Sequence, residues 1–217
     1  MDSGINFDRR SGVAPDESVS VRAAGFVLAG GQSTRMGQDK ALLMLGGEPL
    51  VKRALSKLKE VCAEVAVAGG SEALQRFGHV IADKNPGCGP LGGIVAALEQ
   101  SSFEWNLFLP VDAPFVPVSA LKALLSAAAG FEGVCAMART DGVMQPLCAV
   151  YSRKALEVLR QEREAGRWKV TRAIEAAGAV KVMDFDAGSW FVNLNTPEEF
   201  AEAEKRFDGL DIQGLDI

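Results

Sequence analysis

Short apolar runs alternate with helical patterns along most of the chain. The runs at 24–29, 64–68 and 105–111 are apolar at almost every position, which is typical of strands covered on both faces. Elsewhere apolar residues recur at helical spacing, for example over 49–61 and 118–129. The alternation predicts an α/β domain with a mostly parallel sheet and helices on both of its faces.

The rhythm changes at residues 133–151, where two apolar runs follow each other without a helical pattern between them. We interpret them as an antiparallel hairpin, so that the sheet becomes mixed. The other predicted elements are strands at 79–82, 180–183 and 191–194 and helices at 71–77, 91–100 and 170–177, with two more helices starting at 152 and 196. Ligands of such open sheets bind at the carboxyl ends of the strands, so the chemistry is expected in the loops that follow them.

The two ends of the chain differ from this pattern. Residues 1–22 are polar without a sustained period and are predicted to be a disordered leader, whereas residues 208–217 repeat Gly-Leu-Asp-Ile and are predicted to be a tail. The folded domain is therefore expected over 23–207. No apolar run approaches the ~20 residues of a membrane span, and the first residues lack the apolar core of a secretory signal. We expect a cytoplasmic protein with no membrane partner.

Composition removes several classes of protein. A net charge of −5 argues against a nucleic-acid partner, because phosphate contacts need a surplus of Lys and Arg. The single histidine, His79, lies in an apolar stretch and is expected to be buried, which argues against catalysis by Ser-His-Asp or Cys-His groups. The four cysteines are scattered without a CxxC pair, which argues against a zinc site and predicts a reduced protein with buried thiols.

A glycine-rich segment follows the first predicted strand, from Leu28 to Lys40, and carries both Arg35 and Lys40. Glycines allow backbone N–H groups to approach phosphates closely, and the two cations supply charge for phosphate oxygens. A solvated turn is the alternative, but glycines and cations directly after a buried strand favour an anion site. The segment is not a Walker A loop, because Gln38 rather than a lysine follows its last glycine.

A second glycine-rich segment, Gly87-Cys88-Gly89-Pro90-Leu91-Gly92, matches the G-x-G-x-x-G pattern of dinucleotide-binding proteins. An NAD-binding oxidoreductase is therefore one alternative. Two features argue against it: Pro90 removes an N–H that would donate to the pyrophosphate, and residues 83–86 separate the strand from the first glycine. A tight strand-to-helix connection is the favoured interpretation.

Two aspartates come at the ends of predicted strands. Asp112 ends the run at 105–111, and Asp83 occupies the same position after the preceding strand. A carboxylate there suits Mg²⁺, which commonly takes one or two carboxylates together with substrate phosphates. A helix cap is the alternative role for Asp112. Two carboxylates and a cationic glycine segment at one sheet edge predict a nucleotide-plus-metal pocket, and hence phosphoryl or nucleotidyl transfer.

Four segments of the chain together resemble one family. They are Leu28-Ala29-Gly30-Gly31-x-Ser33-x-Arg35-Met36-Gly37-x-Asp39-Lys40-Ala41-Leu42, Gly89-Pro90-Leu91-Gly92-Gly93, Pro110-Val111-Asp112-Ala113-Pro114 and Val192-Asn193-Leu194-Asn195-Thr196-Pro197-Glu198-Glu199. Their pattern is similar to that of the molybdenum cofactor guanylyltransferases, the MobA family, over about residues 24–206. The resemblance implies a three-layer Rossmann-like nucleotidyltransferase fold.

The same resemblance implies a reaction and a set of roles. GTP and molybdenum-bearing molybdopterin would give the guanine dinucleotide cofactor and pyrophosphate, with Mg²⁺ as cofactor. By position, Leu28, Ala29, Gly30 and Gly31 would contact the nucleotide, Asp83 the nucleoside, and Asn193 and Asn195 the pterin. Lys40 would hold the triphosphate, Asp112 would bind Mg²⁺, and Arg35 would join them in stabilising charge during transfer.

Several alternatives remain open. Ala29-Gly30-Gly31 favours guanine, because the related cytidylyltransferases read Ala-Ala-Gly there, but Ala68 stands where many members have an asparagine. A nucleotidyltransferase that uses CTP or a sugar or alditol phosphate acceptor is one alternative, and a non-catalytic molybdopterin carrier is another. Asn193 and Asn195 share one face of the predicted strand, or cap the last helix, although Thr196 alone could serve as that cap. Molybdoenzyme apoproteins or other cofactor-assembly proteins are the implied protein partners.

Overall fold

The apolar runs form the strands of one seven-stranded sheet and one small ribbon. The computed structural model describes residues 21–30, 39–83, 87–186 and 188–211. The strands within these residues are β1 Ala23–Leu28, β2 Met44–Leu45, β3 Glu48–Pro49, β4 Glu64–Ala68, β5 Val80–Ile81, β6 Trp105–Pro110, β7 Cys135–Thr140, β8 Val143–Ser152 and β9 Val180–Asp184. The α-helices there are α1 Leu50–Lys59, α2 Pro90–Gln100, α3 Val118–Ala128, α4 Leu156–Glu164, α5 Val170–Ala177 and α6 Pro197–Asp211.

The strand order in the large sheet is β5-β4-β1-β6-β8-β7-β9. Strands β5, β4, β1 and β6 are parallel, whereas β8 is antiparallel to both of its neighbours, β6 and β7. The predicted hairpin and the mixed sheet are therefore confirmed. Because β8 runs backwards, its first residues lie at the same sheet edge as the carboxyl end of β6. That edge collects the loops after β1, β4, β5 and β6.

Helices cover both faces of the sheet. On one face, Val27, Val67 and Leu109 of the sheet belong to a core that is covered by α1, α3 and α6. On the other face, Phe26 and Phe108 belong to a core that is covered by α2, α4 and α5. The alternation along β1 and β6 follows from the period of two in a strand. The three-layer α/β fold predicted from the sequence is confirmed.

Two local predictions are wrong. Residues 191–194 are not a strand: a 3₁₀ helix, Gly188–Phe191, ends there, and Phe191 and Leu194 are buried three positions apart while Val192 is exposed. In a strand, buried and exposed residues alternate, so burial at every third position does not fit a strand. His79 is exposed rather than buried, because it precedes β5 at the edge of the sheet, where its Nε2 lies 3.3 Å from Oε1 of Gln100.

One element was not predicted, and one prediction is not tested by the structure. The β2–β3 ribbon was not predicted, since strands of two residues carry no readable period. The division into a leader, a domain over 23–207 and a tail stays a prediction, because residues 1–20 and 212–217 lie outside the described part.

Candidate active site

Lys40 and Asp112 meet at the carboxyl edge of the sheet. The Lys40 ammonium donates to Oδ2 of Asp112 at 2.9 Å, and the two residues are 72 positions apart in the chain. Their side chains are 14% and 23% exposed, so the pair is largely shielded from solvent but still reachable. The same ammonium donates to Oδ1 of Asn195 at 2.9 Å. Three of the residues predicted from the sequence are thus in direct contact.

Asp39 fixes the backbone that carries Lys40. Its Oδ1 accepts from the N–H of Ala41 at 3.1 Å, which caps the 3₁₀ helix Lys40–Leu42. Its Oδ2 accepts from the Ser71 hydroxyl at 2.6 Å, and this ties the segment to the loop after β4. Ser71 also precedes the 3₁₀ helix Glu72–Phe77, but its side chain makes no capping hydrogen bond there. An aspartate directly before a helical turn was the signal for the role of Asp39.

The start of the glycine segment is pressed against the loop after β4. Leu28 is buried at the end of β1, and the N–H of Ala29 donates to the carbonyl of Ala68 at 3.1 Å. Gly69 has a φ of +79°, and a Cβ placed on it would lie 2.9 Å from Cα of Gly30. Only glycine fits at position 69, which keeps the backbone at 29–30 in place at the sheet edge.

Asp83 lies against the first turn of α2. A Cβ on Gly92 would lie 2.3 Å from Oδ2 of Asp83, so the missing side chain makes room for this carboxylate. The position also suits a negative charge, because the first turn of a helix carries a partial positive charge. Strands β4 and β1 separate the ends of β5 and β6, which are therefore roughly 14 Å apart at ~4.8 Å per strand. Asp83 and Asp112 follow the ends of these two separated strands.

Asn193 and Asn195 are exposed on either side of buried Leu194. The N–H of Leu194 donates to the carbonyl of Asp112 at 2.9 Å, which joins this segment to the loop after β6. Thr196 caps α6, as its Oγ1 accepts from the N–H of Glu199 at 3.1 Å, and Glu199 accepts in return from the N–H of Asn195 at 2.6 Å. The asparagine side chains are therefore not needed as caps. This reciprocal arrangement is a capping box, and the spacing Thr196-x-x-Glu199 was its signal in the sequence.

A cavity of about 180 Å³ opens beside Asp112, between β6, β8 and the segment with the asparagines. Its walls include Pro110, Gln145, Pro146, Cys148, Phe191 and Asn193. A register shift in the β7–β8 pairing pushes out the part of β8 that forms one wall, and the Tyr151 hydroxyl donates to the carbonyl of Pro146 at 2.6 Å to hold it. The cavity and Asp83 thus lie on opposite sides of the Lys40–Asp112 pair.

The carboxylates fit one kind of metal site. Within the described ranges, no group of three or more His, Cys, Asp or Glu side chains is placed to hold a metal ion. Mg²⁺ needs only one or two carboxylates when phosphate oxygens and water supply its other ligands. Asp112, a hard carboxylate beside the Lys40 ammonium, fits a magnesium ion that arrives with a nucleotide, and not a preformed metal cage.

Two of the predicted site residues lie outside the described part of the chain. Gly31 and Arg35 belong to residues 31–38, of which the structure describes nothing. One residue near the site escaped the sequence analysis: Lys57, on α1, is buried against the loop that follows Asp112. It lies three positions after Ala54 on the apolar face of its helix, and a lysine at a core position was the available signal.

The fold and the site define an α/β nucleotidyltransferase: an open sheet, a glycine segment after its first parallel strand, and a Lys–Asp pair at its carboxyl edge. The chain belongs to the MobA-like NTP transferase domain family, whose pattern matches residues 25–179. Among the helices of the described residues, none combines the length and apolar character needed to cross a membrane.

Relatives cover nearly the whole chain. It is 34% identical over 193 residues to a probable molybdenum cofactor guanylyltransferase of Pelotomaculum thermopropionicum, across 84% of this chain and 92% of that protein. It is 35% identical over 191 residues to the molybdenum cofactor guanylyltransferase of Cereibacter sphaeroides, across 85% and 96%.

Solved structures share the fold. Molybdopterin-guanine dinucleotide biosynthesis protein A of Archaeoglobus fulgidus matches with a TM-score of 0.74 and 25% identity, across 86% of this chain and 99% of that one. The 2-C-methyl-D-erythritol 4-phosphate cytidylyltransferase of Thermus thermophilus matches with a TM-score of 0.61 and 18% identity, across 87% and 98%. The second likeness concerns the fold alone.

Proposed function

We propose that this chain transfers GMP from GTP to molybdenum-bearing molybdopterin, which yields the guanine dinucleotide cofactor and pyrophosphate. The names of its relatives and the four family segments support this activity. The single observation that carries it is the contact of Lys40 with both Asp112 and Asn195. A cation there lies between the glycine segment and Asp83 on one side and the cavity with Asn193 on the other.

The proposed step is a displacement at the α-phosphorus of GTP. An oxygen of the pterin phosphate forms the new bond, and the bond to the oxygen that bridges the α- and β-phosphorus breaks, so that pyrophosphate leaves with that electron pair. Such a transfer needs positioning and charge stabilisation rather than a side-chain nucleophile. This agrees with Cys148 near the acceptor cavity, since burial raises the pKa of its thiol to about 12 and keeps it protonated at neutral pH.

Roles are proposed for the residues of the site. Leu28 to Gly31 and Asp83 contact the nucleotide, Asn193 and Asn195 the pterin, and Arg35 and Lys40 the phosphates. Lys40 exchanges Asp112 and Asn195 for phosphate oxygens when the nucleotide binds, which leaves the Asp112 carboxylate available. Asp112 would hold Mg²⁺, which would supply positive charge to neutralise the phosphate oxygens.

The proposal extends to the setting of the enzyme. Molybdoenzyme apoproteins or other cofactor-assembly proteins would receive or supply the cofactor. A cytoplasmic location stays a prediction from the sequence.

Pyrophosphate release with GTP, Mg²⁺ and molybdenum-bearing molybdopterin tests the activity directly. We expect turnover in the wild type and a loss of tenfold to hundredfold or more in Lys40→Ala and Asp112→Asn, because each change removes charge-assisted contacts of ~1.5–3 kcal/mol. Lys52→Ala is the matched control: it also deletes a lysine from an ion pair, with Glu48 at 3.0 Å, but on the exposed side of α1.

Three results would contradict the proposal. Faster pyrophosphate release with CTP than with GTP would indicate the same kind of transfer with a cytosine dinucleotide as the product. Release with a sugar or alditol phosphate, but not with the pterin, would change the acceptor. Tight binding of molybdopterin without any pyrophosphate release, unaffected by Asp112→Asn, would indicate a carrier.

A further inference from the structure

Lys57 lies on the face of α1 that packs into the core. Lys57 is only 6% exposed, and its neighbours on that face, Ala54 and Leu58, belong to the core. Burial of an ammonium group is costly unless hydrogen bonds compensate for the lost water. A buried lysine on an otherwise apolar stripe therefore requires specific partners.

The partners are two carbonyl groups of one loop. The Lys57 ammonium donates to the carbonyl of Pro114 at 2.5 Å and to the carbonyl of Val116 at 2.8 Å. Both belong to residues 111–117, the loop that connects β6 to α3 and contains Asp112. Pro114 and Pro117 have no N–H, so the main-chain donors in the distal half of the loop, residues 114–117, are limited to Phe115 and Val116.

Main-chain hydrogen bonds hold the part of the loop next to β6. The N–H of Val111 donates to the carbonyl of Leu28 at 3.1 Å, and the N–H of Ala113 donates to that of Pro110 at 3.2 Å. Farther along, the N–H of Val116 donates to the carbonyl of Ala113 at 3.4 Å, and the Arg206 guanidinium lies 4.0 Å from the centre of the Phe115 ring. From outside, Leu194 donates to the carbonyl of Asp112 at 2.9 Å. Lys57 thus holds the distal half of the loop against α1, while Leu194 holds the half that carries the carboxylate.

We infer that Lys57 is a positioning residue, which fixes the 111–117 loop so that the Asp112 carboxylate is presented to the magnesium ion of the bound nucleotide. The inference rests on the proposed role of Asp112. Lys57 does not touch the substrates, and its effect is on how well Asp112 holds the ion. Mg²⁺ requires a near-ideal octahedral arrangement of its ligands. A shift of the loop by a fraction of an ångström therefore weakens the binding of this ion more than it lowers the stability of the fold.

The test compares Lys57→Met with Arg53→Met in the full chain. Arg53 lies one turn earlier on the same helix and also donates to a main-chain carbonyl, that of Leu45 at 2.9 Å, but this carbonyl belongs to β2 and not to the 111–117 loop. We measure calorimetrically how GTP binding depends on Mg²⁺ concentration, and in parallel how pyrophosphate release depends on it. Thermal unfolding of each variant gives the structural effect alone.

We expect Lys57→Met to raise the half-saturating Mg²⁺ concentration about tenfold in both measurements, and Arg53→Met to leave it unchanged at a comparable loss in Tm. Lys57→Arg, which keeps a charged hydrogen-bond donor, should retain most of the wild-type Mg²⁺ dependence. Lys57→Gln, which is too short to reach both carbonyls, should not. If Lys57→Met fails to fold, Lys57→Gln decides. Wild-type Mg²⁺ dependence in either folded variant overturns the inference. Absence of Mg²⁺-dependent GTP binding in the wild type contradicts the proposed function instead.

Discussion

A buried ammonium group links the stability of this protein to pH. Burial, followed by the nearby charge of Arg53, lowers the pKa of Lys57 to about 8 from an ordinary value of 10.5. Between these two values the unfolded chain binds more protons than the folded chain. The free energy of unfolding therefore rises with pH across this window, and the gain is absent below about pH 8.

The pH effect can be isolated by subtraction. We expect the wild type to gain about 2 kcal/mol in free energy of unfolding relative to Lys57→Met between pH 7 and pH 9.5, at 1.36 kcal/mol per pKa unit. Urea unfolding of both proteins at several pH values measures this difference, because the other titrating groups cancel between them. A constant difference across that range would mean that the Lys57 ammonium is not perturbed by burial.

Among the elements, β1, β4, β6, α2 and the β7–β8 hairpin were readable from the sequence because their burial imposes a pattern. Runs covered on both faces must be apolar throughout, and two such runs without a helix between them pair as a hairpin. The segment at 191–194 was misread since its apolar residues contact the core from a turn. Whether Phe191 lies in a strand depends on a neighbouring strand, and no local pattern shows that.

Part of the site could be predicted in the same way. The meeting of Lys40 and Asp112 at one sheet edge was predictable because loops after parallel strands meet there. The contact of Lys40 with Asn195 joins positions 155 apart, so it depends on the whole fold. The position of Lys57 on the apolar face of α1 was visible in the sequence. Its carbonyl partners, 57 and 59 positions away, could not be predicted from it.

Helix α2 offers a test of Asp83 that separates function from stability. Replacing Gly92 by alanine stabilises the helix by up to ~1 kcal/mol, because glycine has a low helix propensity. The new Cβ of Ala at this position would, however, displace the Asp83 carboxylate. We expect Gly92→Ala to weaken GTP binding about tenfold while its Tm stays equal or rises. Isothermal titration with GTP–Mg²⁺ and thermal unfolding provide the two measurements.

Gly93 supplies the matched control for that change. A Cβ there meets only ordinary contacts, the nearest being Cδ2 of Leu28 at 3.6 Å. Gly93→Ala should therefore match Gly92→Ala in stability and keep wild-type affinity for GTP. Equal affinity in the two variants would show that the Asp83 carboxylate does not contact the nucleoside.

Across the whole molecule, the candidate groups lie in a row along the carboxyl edge of the sheet. Asp83 stands at one end, beyond β4, and Asn193 at the other, where the antiparallel β8 helps to form the cavity. The Lys40–Asp112 pair lies between them. A parallel half with a glycine segment suits a nucleotide, and the reversal of direction at β8 makes room for a second substrate.

This arrangement predicts that the two substrates can be weakened separately. Asp83→Asn should raise KM for GTP about tenfold with little effect on KM for the pterin, because the roughly 14 Å between the ends of β5 and β6 separates the two sites. Asn193→Ala should do the reverse, since its side chain lines the cavity beside Asp112. Initial rates of pyrophosphate release, with each substrate varied in turn, measure both constants. A rise in both constants for either variant would contradict two separate sites, because it would place the changed residue where both substrates meet.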